Sequence, residues 1–225
     1  MKAHSNEFKE EIKMLGKQQD VRITYMINDE QITLGSEDIN SATPNYEASL
    51  LKSVMKVLDL DSNTDIPLST EIKFEYGLLV NGAYEYLDYG NYIVYSSEKQ
   101  EDTLSYKIKC YDKLLYSMKD YEALDVTYPI TIYEYLKKLC EKIGLTMKEA
   151  NFANMSRQLP SDLFNGLGYT YRDVLDQIAE TTGGCICLTL DDKVEVRYIN
   201  ETEDTIDAEY INDTNVNFGE KYRTN

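Results

Sequence analysis

Tryptophan is absent from the 225-residue chain, histidine occurs once, and cysteine and proline occur four times each. The single histidine is His4, close to the N-terminus. Ser-His-Asp and Cys-His catalysis therefore lacks a convincing base. The cysteines, Cys110, Cys140, Cys185 and Cys187, stand at spacings that fit no zinc pattern. They read as reduced, mostly buried thiols acting as small hydrophobes, which suits a protein assembled in the cytosol. Cys185 and Cys187, two apart on an expected strand, should point to one face. HExxH, GxGxxG and GxxxxGKS/T are all missing, which removes the usual signatures of zinc proteases, dinucleotide binders and P-loop enzymes. No run approaches the ~18 apolar residues that a membrane helix needs. The N-terminus also lacks the apolar stretch of a secretion signal, so the chain is expected to be cytosolic when made.

Cations are the next shortage. Lys and Arg number 23 against 40 Asp and Glu, for a net charge of −17. Eleven cations face twenty acids through residue 112, and twelve face twenty after it, giving −9 and −8. The acidity is spread and is not a tail. Such a chain is not expected to bind nucleic acid sequence-specifically, because phosphate contacts need Lys and Arg. Carboxylate pairs are so abundant that any one pair carries little weight as a glycosidase centre. The run from Asp59 to Asp65 resembles a calcium loop at first sight. It lacks the central glycine and terminal glutamate of an EF-hand, and reads as a solvated turn. Arg172 is expected to pair with a surface acid. No residue is assigned a catalytic, cofactor-binding or metal-binding role, and no cofactor is expected.

What is present is enough for real cores: 42% hydrophobic residues, with twenty Tyr against five Phe. Tyrosine suits half-buried strands and interfaces, being apolar along the ring and polar at the tip. A short helix is expected over residues 5–16, capped by Ser5 or Asn6, with Phe8, Ile12 and Leu15 on one face and Gly16 at its end. From residue 21 to 113 the period becomes two. Strands are expected at 21–27 and 31–34 about an Asn28-Asp29-Glu30 turn, and at 50–60. Further strands are expected at 71–80 and 83–87 about Asn81-Gly82, the strongest hairpin signal in the chain. Tyr89-Gly90-Asn91 reads as a turn into a strand at 92–95, followed by one at 104–111. Residues 36–44 read as loop. Seven or eight short antiparallel strands at this spacing fit a sandwich or barrel.

The composition then shifts. Residues 114–124 read as a helical turn or extended connector. Thr131 caps a helix with Glu134 three residues on. Ile132, Leu136, Leu139, Cys140 and Ile143 form its apolar face, and Gly144 ends it. Residues 145–147 fit a short strand, and 148–168 a long loop of the kind that often carries contacts. Residues 169–198 give the clearest module. Thr170 and Asp173 form a capping box. Val174, Leu175, Ile178 and Ala179 share a face, and Gly183-Gly184 stops the helix. A strand follows from Cys185 to Leu190, Asp191-Asp192 turns, and a second strand runs from Val194 to Tyr198. Together these predict an α+β region of two capped helices packed on a small sheet. Near the end, Asn215-Val216-Asn217-Phe218-Gly219 starts another strand.

The order of these features resembles the N-terminal part of phage tail-hub proteins: the tail-associated lysin, or prophage endopeptidase tail, family and the related baseplate hubs of contractile tails. The residues that carry it are Tyr89-Gly90-Asn91-Tyr92-Ile93-Val94, then Cys110-Tyr111-Asp112 with Leu114-Leu115, then Tyr128-Pro129-Ile130-Thr131. The fullest match is Tyr169-Thr170-Tyr171-Arg172-Asp173-Val174-Leu175-Asp176-Gln177-Ile178-Ala179 with Gly183-Gly184-Cys185. Asn217-Phe218-Gly219-Glu220-Lys221-Tyr222 closes the series. The resemblance implies an α+β chain with an N-terminal antiparallel tube-like β-barrel over residues 1–112. An inserted α+β domain would follow over 113–206, and the start of a second, truncated barrel over 207–225. It further implies a virion structural protein without enzymatic activity, assembled in the host bacterial cytoplasm and placed at the tail tip. There it would form a homotrimer beneath the distal-tail protein ring, closing or continuing the DNA channel. The tape-measure protein or a downstream fibre or spike would be a further partner. The acidity would then keep DNA from adhering to the channel wall. A cell-wall-binding or peptidoglycan-hydrolysing module is the alternative, since tail tips carry both.

Overall fold

The computed structural model describes residues 19–198. The expected helix at 5–16 and the expected strand at 215–222 lie outside the described residues. Two compact units divide the chain. Among the described residues, the first comprises 19–46 and 56–111. The second comprises Glu47–Met55 and residues 112–198.

The first unit is built from β1 (Gln19–Ile27), β2 (Glu30–Leu34), β3 (Ile39–Glu47) up to Tyr46, β4 (Ser53–Ser62) from Lys56 onward, β5 (Glu71–Val80), β6 (Ala83–Lys99) and β7 (Tyr106–Tyr111). Its strand order is β2-β1-β5-β6-β7-β4, with β3 paired to β4. Period-two alternation decides which side chains go inward. Ile23 and Tyr25 of β1, Ile72 and Phe74 of β5, Tyr92 and Val94 of β6, and Ile108 and Cys110 of β7 share one core with Leu58 and Leu60. The two hairpin turns have two residues each. Asn28 and Asn81 have φ of +50°, Asp29 has +63° and Gly82 has +83°. Positive φ at both central residues matches the twist of the flanking strands.

The expected α+β chain with a tube-like barrel is not what forms. Among the described residues strand accounts for 46% and helix for 16%, the sheet is mixed, and no barrel closes. Among the described residues β2 pairs only with β1, and β3 only with β4, so these two strands do not meet to close a ring. Alternation in sequence fixes which face of a strand is buried but not whether the outermost strands meet. Two local readings are also corrected. Residues 36–44, expected as loop, supply most of β3, an edge strand where Pro44 is tolerated because its missing N–H interrupts no central ladder. Tyr89-Gly90-Asn91 is not a turn: β6 runs unbroken for 17 residues. Its register slips there, Phe74 facing Gly90 while Glu75 faces Asp88. Tyr89 is thus the extra residue of a β-bulge, and Gly90 takes φ +98° to allow it.

The second unit holds a 3-10 helix (Lys113–Met118), β8 (Ile130–Thr131), α1 (Ile132–Lys142), β9 (Thr146–Met147), β10 (Gln158–Leu159), α2 (Tyr171–Thr182), β11 (Cys185–Leu188) and β12 (Lys193–Arg197). Ser53 and Val54, the first residues of β4, run parallel to β11. β11 is antiparallel to β12, β12 is parallel to β9, and β10 pairs with β8. Helix α1 starts at Thr131, whose side chain accepts from the Glu134 N–H. Helix α2 starts at a complete Thr170/Asp173 capping box and ends at Gly183 with φ +72°. Leu136, Leu139, Val174, Leu175 and Ile178 from the helices, with Ile186, Leu188 and Val194 from the strands, are all buried.

Candidate functional site

The outward face of the first unit's sheet is a lattice of charge. Arg22 of β1 reaches Glu75 of β5 at 2.7 Å, and Lys73 reaches both Glu75 at 2.9 Å and Asp88 at 3.2 Å. The Arg22 guanidinium also lies 3.9 Å from the centre of the Tyr86 ring, and the Tyr86 hydroxyl donates to Asp20. That ring sits over Gly77, where a Cβ would come within 2.9 Å of it. Burial works to raise the Glu75 pKa, but the bonds from Lys73 and Arg22 outweigh it, and the net shift is downward. The cations of this face thus serve to hold carboxylates in place.

The Asp59–Asp65 run lies at the end of β4 and just beyond it. Asp61 is paired with Lys107 and accepts from Asn40, and these bonds bring its pKa down to about 2. Asp65 accepts from the Ser97 hydroxyl at 2.6 Å. Among the described residues, no group of three or more His, Cys, Asp or Glu is placed to hold a metal ion. An open depression of about 560 Å³, lined by Thr24, Met26, Gln31, Thr70, Glu71 and Lys73, lies on the same unit.

In the second unit α2 grips the segment Glu47–Met55. Arg172, Asp176 and Glu180 recur every four residues and so share one helical face. Arg172, expected as a surface ion pair, contacts Glu47 at 3.3 Å and the Ser53 hydroxyl at 3.2 Å. Asp176 accepts from the Ser53 N–H at 2.7 Å and from its hydroxyl at 2.6 Å. Glu180 pairs with Lys52 at 2.6 Å, and the Ile186 N–H donates to the Lys52 carbonyl. The role of Asp176 has no signal in the sequence beyond its place on that stripe, because its partner lies 123 positions away.

The long loop is pinned by tyrosines. Tyr135 is fully buried on α1, and its hydroxyl meets that of Tyr121 at 2.8 Å. Tyr121 in turn donates to Asp162 at 3.0 Å. The other Asp162 oxygen accepts from the Phe164 and Asn165 N–H groups. Phe164 then packs near Tyr121, Tyr135 and Tyr169. Burial pushes the Tyr135 phenol far above its ordinary range. Burial also raises the Cys110 and Cys140 thiols to about 12, so both are inert. Cys185 and Cys187 share one half-buried face of β11.

Neither a family model nor a curated protein matches this sequence. Solved structures do. A 43 kDa tail protein of prophage MuSo2 from Shewanella oneidensis superposes with a TM-score of 0.50 at 11% identity, over 78% of this chain and 53% of its own. Prophage tail protein gp18 from Listeria monocytogenes gives a TM-score of 0.50 at 11% identity, over 78% and 49%. The chain has a prophage tail-protein fold. It spans about half the length of the tail proteins it matches. At this identity the likeness is one of fold, and it extends over the greater part of this chain.

Proposed function

We propose that the chain is a structural, non-enzymatic component of a phage or prophage tail, standing at the tail tip or baseplate hub. In this reading it forms part of a trimeric ring below the distal-tail protein, with the tape-measure protein or a fibre or spike beyond it. The observation that carries the reading is the tail-protein fold over 78% of the chain. The ordered hub-like motifs, from Tyr89-Gly90-Asn91 to the Tyr169–Ala179 stretch, support the finer placement. The net charge of −17 supports it too, since an acidic wall repels phosphate and lets DNA pass.

Immunogold labelling of phage particles that carry this protein tests the position. Gold at the distal end of the tail is the expected result. Label on the capsid or along the whole tail shaft would sink the proposal. Native mass spectrometry of the complete gene product should give a trimer. Incubation with purified peptidoglycan should release no fragments, and clear turnover would overturn the non-enzymatic part.

A further inference from the structure

The sequence contains the dipeptide Asn-Gly twice in the described residues, at Asn81-Gly82 and at Asn165-Gly166. Asparagine is among the chemically labile residues of proteins. Before glycine, nothing shields the following amide nitrogen from the asparagine side chain. Both dipeptides are exposed. Both glycines have positive φ, +83° and +77°, and a Cβ added at either would meet nothing within 4 Å. Local crowding therefore does not distinguish them.

The surrounding structure does. Asn81 is held at φ +50° in a two-residue turn. The turn closes a ladder that pairs Val80 with Ala83 and continues to Glu71 with Ile93. Rotating Asn81 to bring its side-chain carbon onto the Gly82 nitrogen would unwind the end of that ladder. Asn165 belongs to no ladder. Its N–H is held by one bond, 3.2 Å from Asp162, in a loop between β10 and α2. Local opening costs less where fewer backbone bonds must break.

We infer that Asn165 is a site of spontaneous deamidation, and that Asn81 is the same chemical group kept silent by its hairpin. In the reaction the Gly166 nitrogen gives up its proton to water and bonds to the Asn165 side-chain carbonyl carbon. The side-chain nitrogen leaves as ammonia, forming a succinimide. Water then opens the ring to leave aspartate or isoaspartate at position 165. The product adds one negative charge beside Asp162, the carboxylate that ties this loop to Tyr121. The modification would therefore loosen the loop's own anchor. This inference does not depend on the tail reading.

The test uses the full chain, held in mildly alkaline buffer and mapped over time by peptide mass spectrometry. A parallel sample is unfolded in urea. In the folded sample, the peptide carrying Asn165 should gain one mass unit several-fold faster than the peptide carrying Asn81. In urea the two rates should converge. Equal rates in the folded protein, or no reaction at Asn165 in either sample, would overturn the inference. Asn165→Gln should abolish the mass gain in its peptide while leaving the other unchanged, and a persisting gain in that peptide would also count against it.

Discussion

Tyr135 and Tyr121 share one hydroxyl–hydroxyl bond, yet their loss should differ. Tyr135→Phe removes the buried hydroxyl and leaves Tyr121 still bonded to Asp162, so the expected cost is about 1 kcal/mol. Tyr121→Phe strands the Tyr135 hydroxyl inside the core. It should cost more, toward ~3 kcal/mol, because an unsatisfied buried group bears its full desolvation penalty. Urea denaturation of the two variants checks the order. Glu195 offers a second asymmetry. Its side chain is only 9% exposed and lies 2.7 Å from Lys148, with Arg197 also bonded to it. Burial raises its pKa, but these two cations outweigh burial, and the net shift is below the ordinary 4.5. Glu75 behaves likewise. A depressed carboxylate stabilises the fold above its unfolded pKa and loses that contribution as pH falls through the folded value. Thermal stability should therefore decline progressively below about pH 4.5, and Glu195→Gln should flatten that decline. A steeper decline in the variant would contradict the argument.

Gly183 and Gly184 end α2 for different reasons, and substitution separates them. Gly183 needs only its left-handed backbone, so Gly183→Ala should cost about 1–2 kcal/mol. At Gly184 an added Cβ would stand 2.8 Å from Val196 and 3.0 Å from the Arg197 carbonyl. The carbonyl belongs to the strand paired with β11 and cannot give way, so Gly184→Ala should be the worse variant in thermal melts. Thr170→Ala should cost about 1 kcal/mol through loss of the cap. The glycine stop, both caps and the two hairpin turns were legible in the sequence because each depends on residues within a few positions. The bulge at Tyr89 was not: glycine after an aromatic looks the same in a turn and in a bulge. β3 was hidden for a related reason. Asn40, Ser41 and Pro44 are poor strand formers, and the segment is held by its neighbour β4 and by Asn40 bonding Asp61 and Asn63.

The charge of the whole chain sets how copies meet. At −17, two copies repel, and the repulsion is screened within about 8 Å at physiological salt. Any self-association should therefore strengthen from low to moderate salt, as sedimentation velocity would show. Binding to duplex DNA should be undetectable throughout the same range. The open sheet was the least legible feature. Closure depends on whether the outermost strands meet, and no short stretch of residues encodes that.

The clamp between α2 and Glu47–Met55 has a consequence for how the protein is made and how it can be dissected. Residues 47–55 leave the ribosome well before α2 exists, so Glu47, Lys52 and Ser53 gain their partners Arg172, Glu180 and Asp176 only when that helix arrives. Among the described residues, the second unit is thus the later to be completed, although one of its pieces is made early. A fragment beginning at residue 113 would present that helix face to water with nothing to bind. Supplying a peptide of residues 47–55 should raise its melting temperature. The same peptide with Ser53→Ala should do so less.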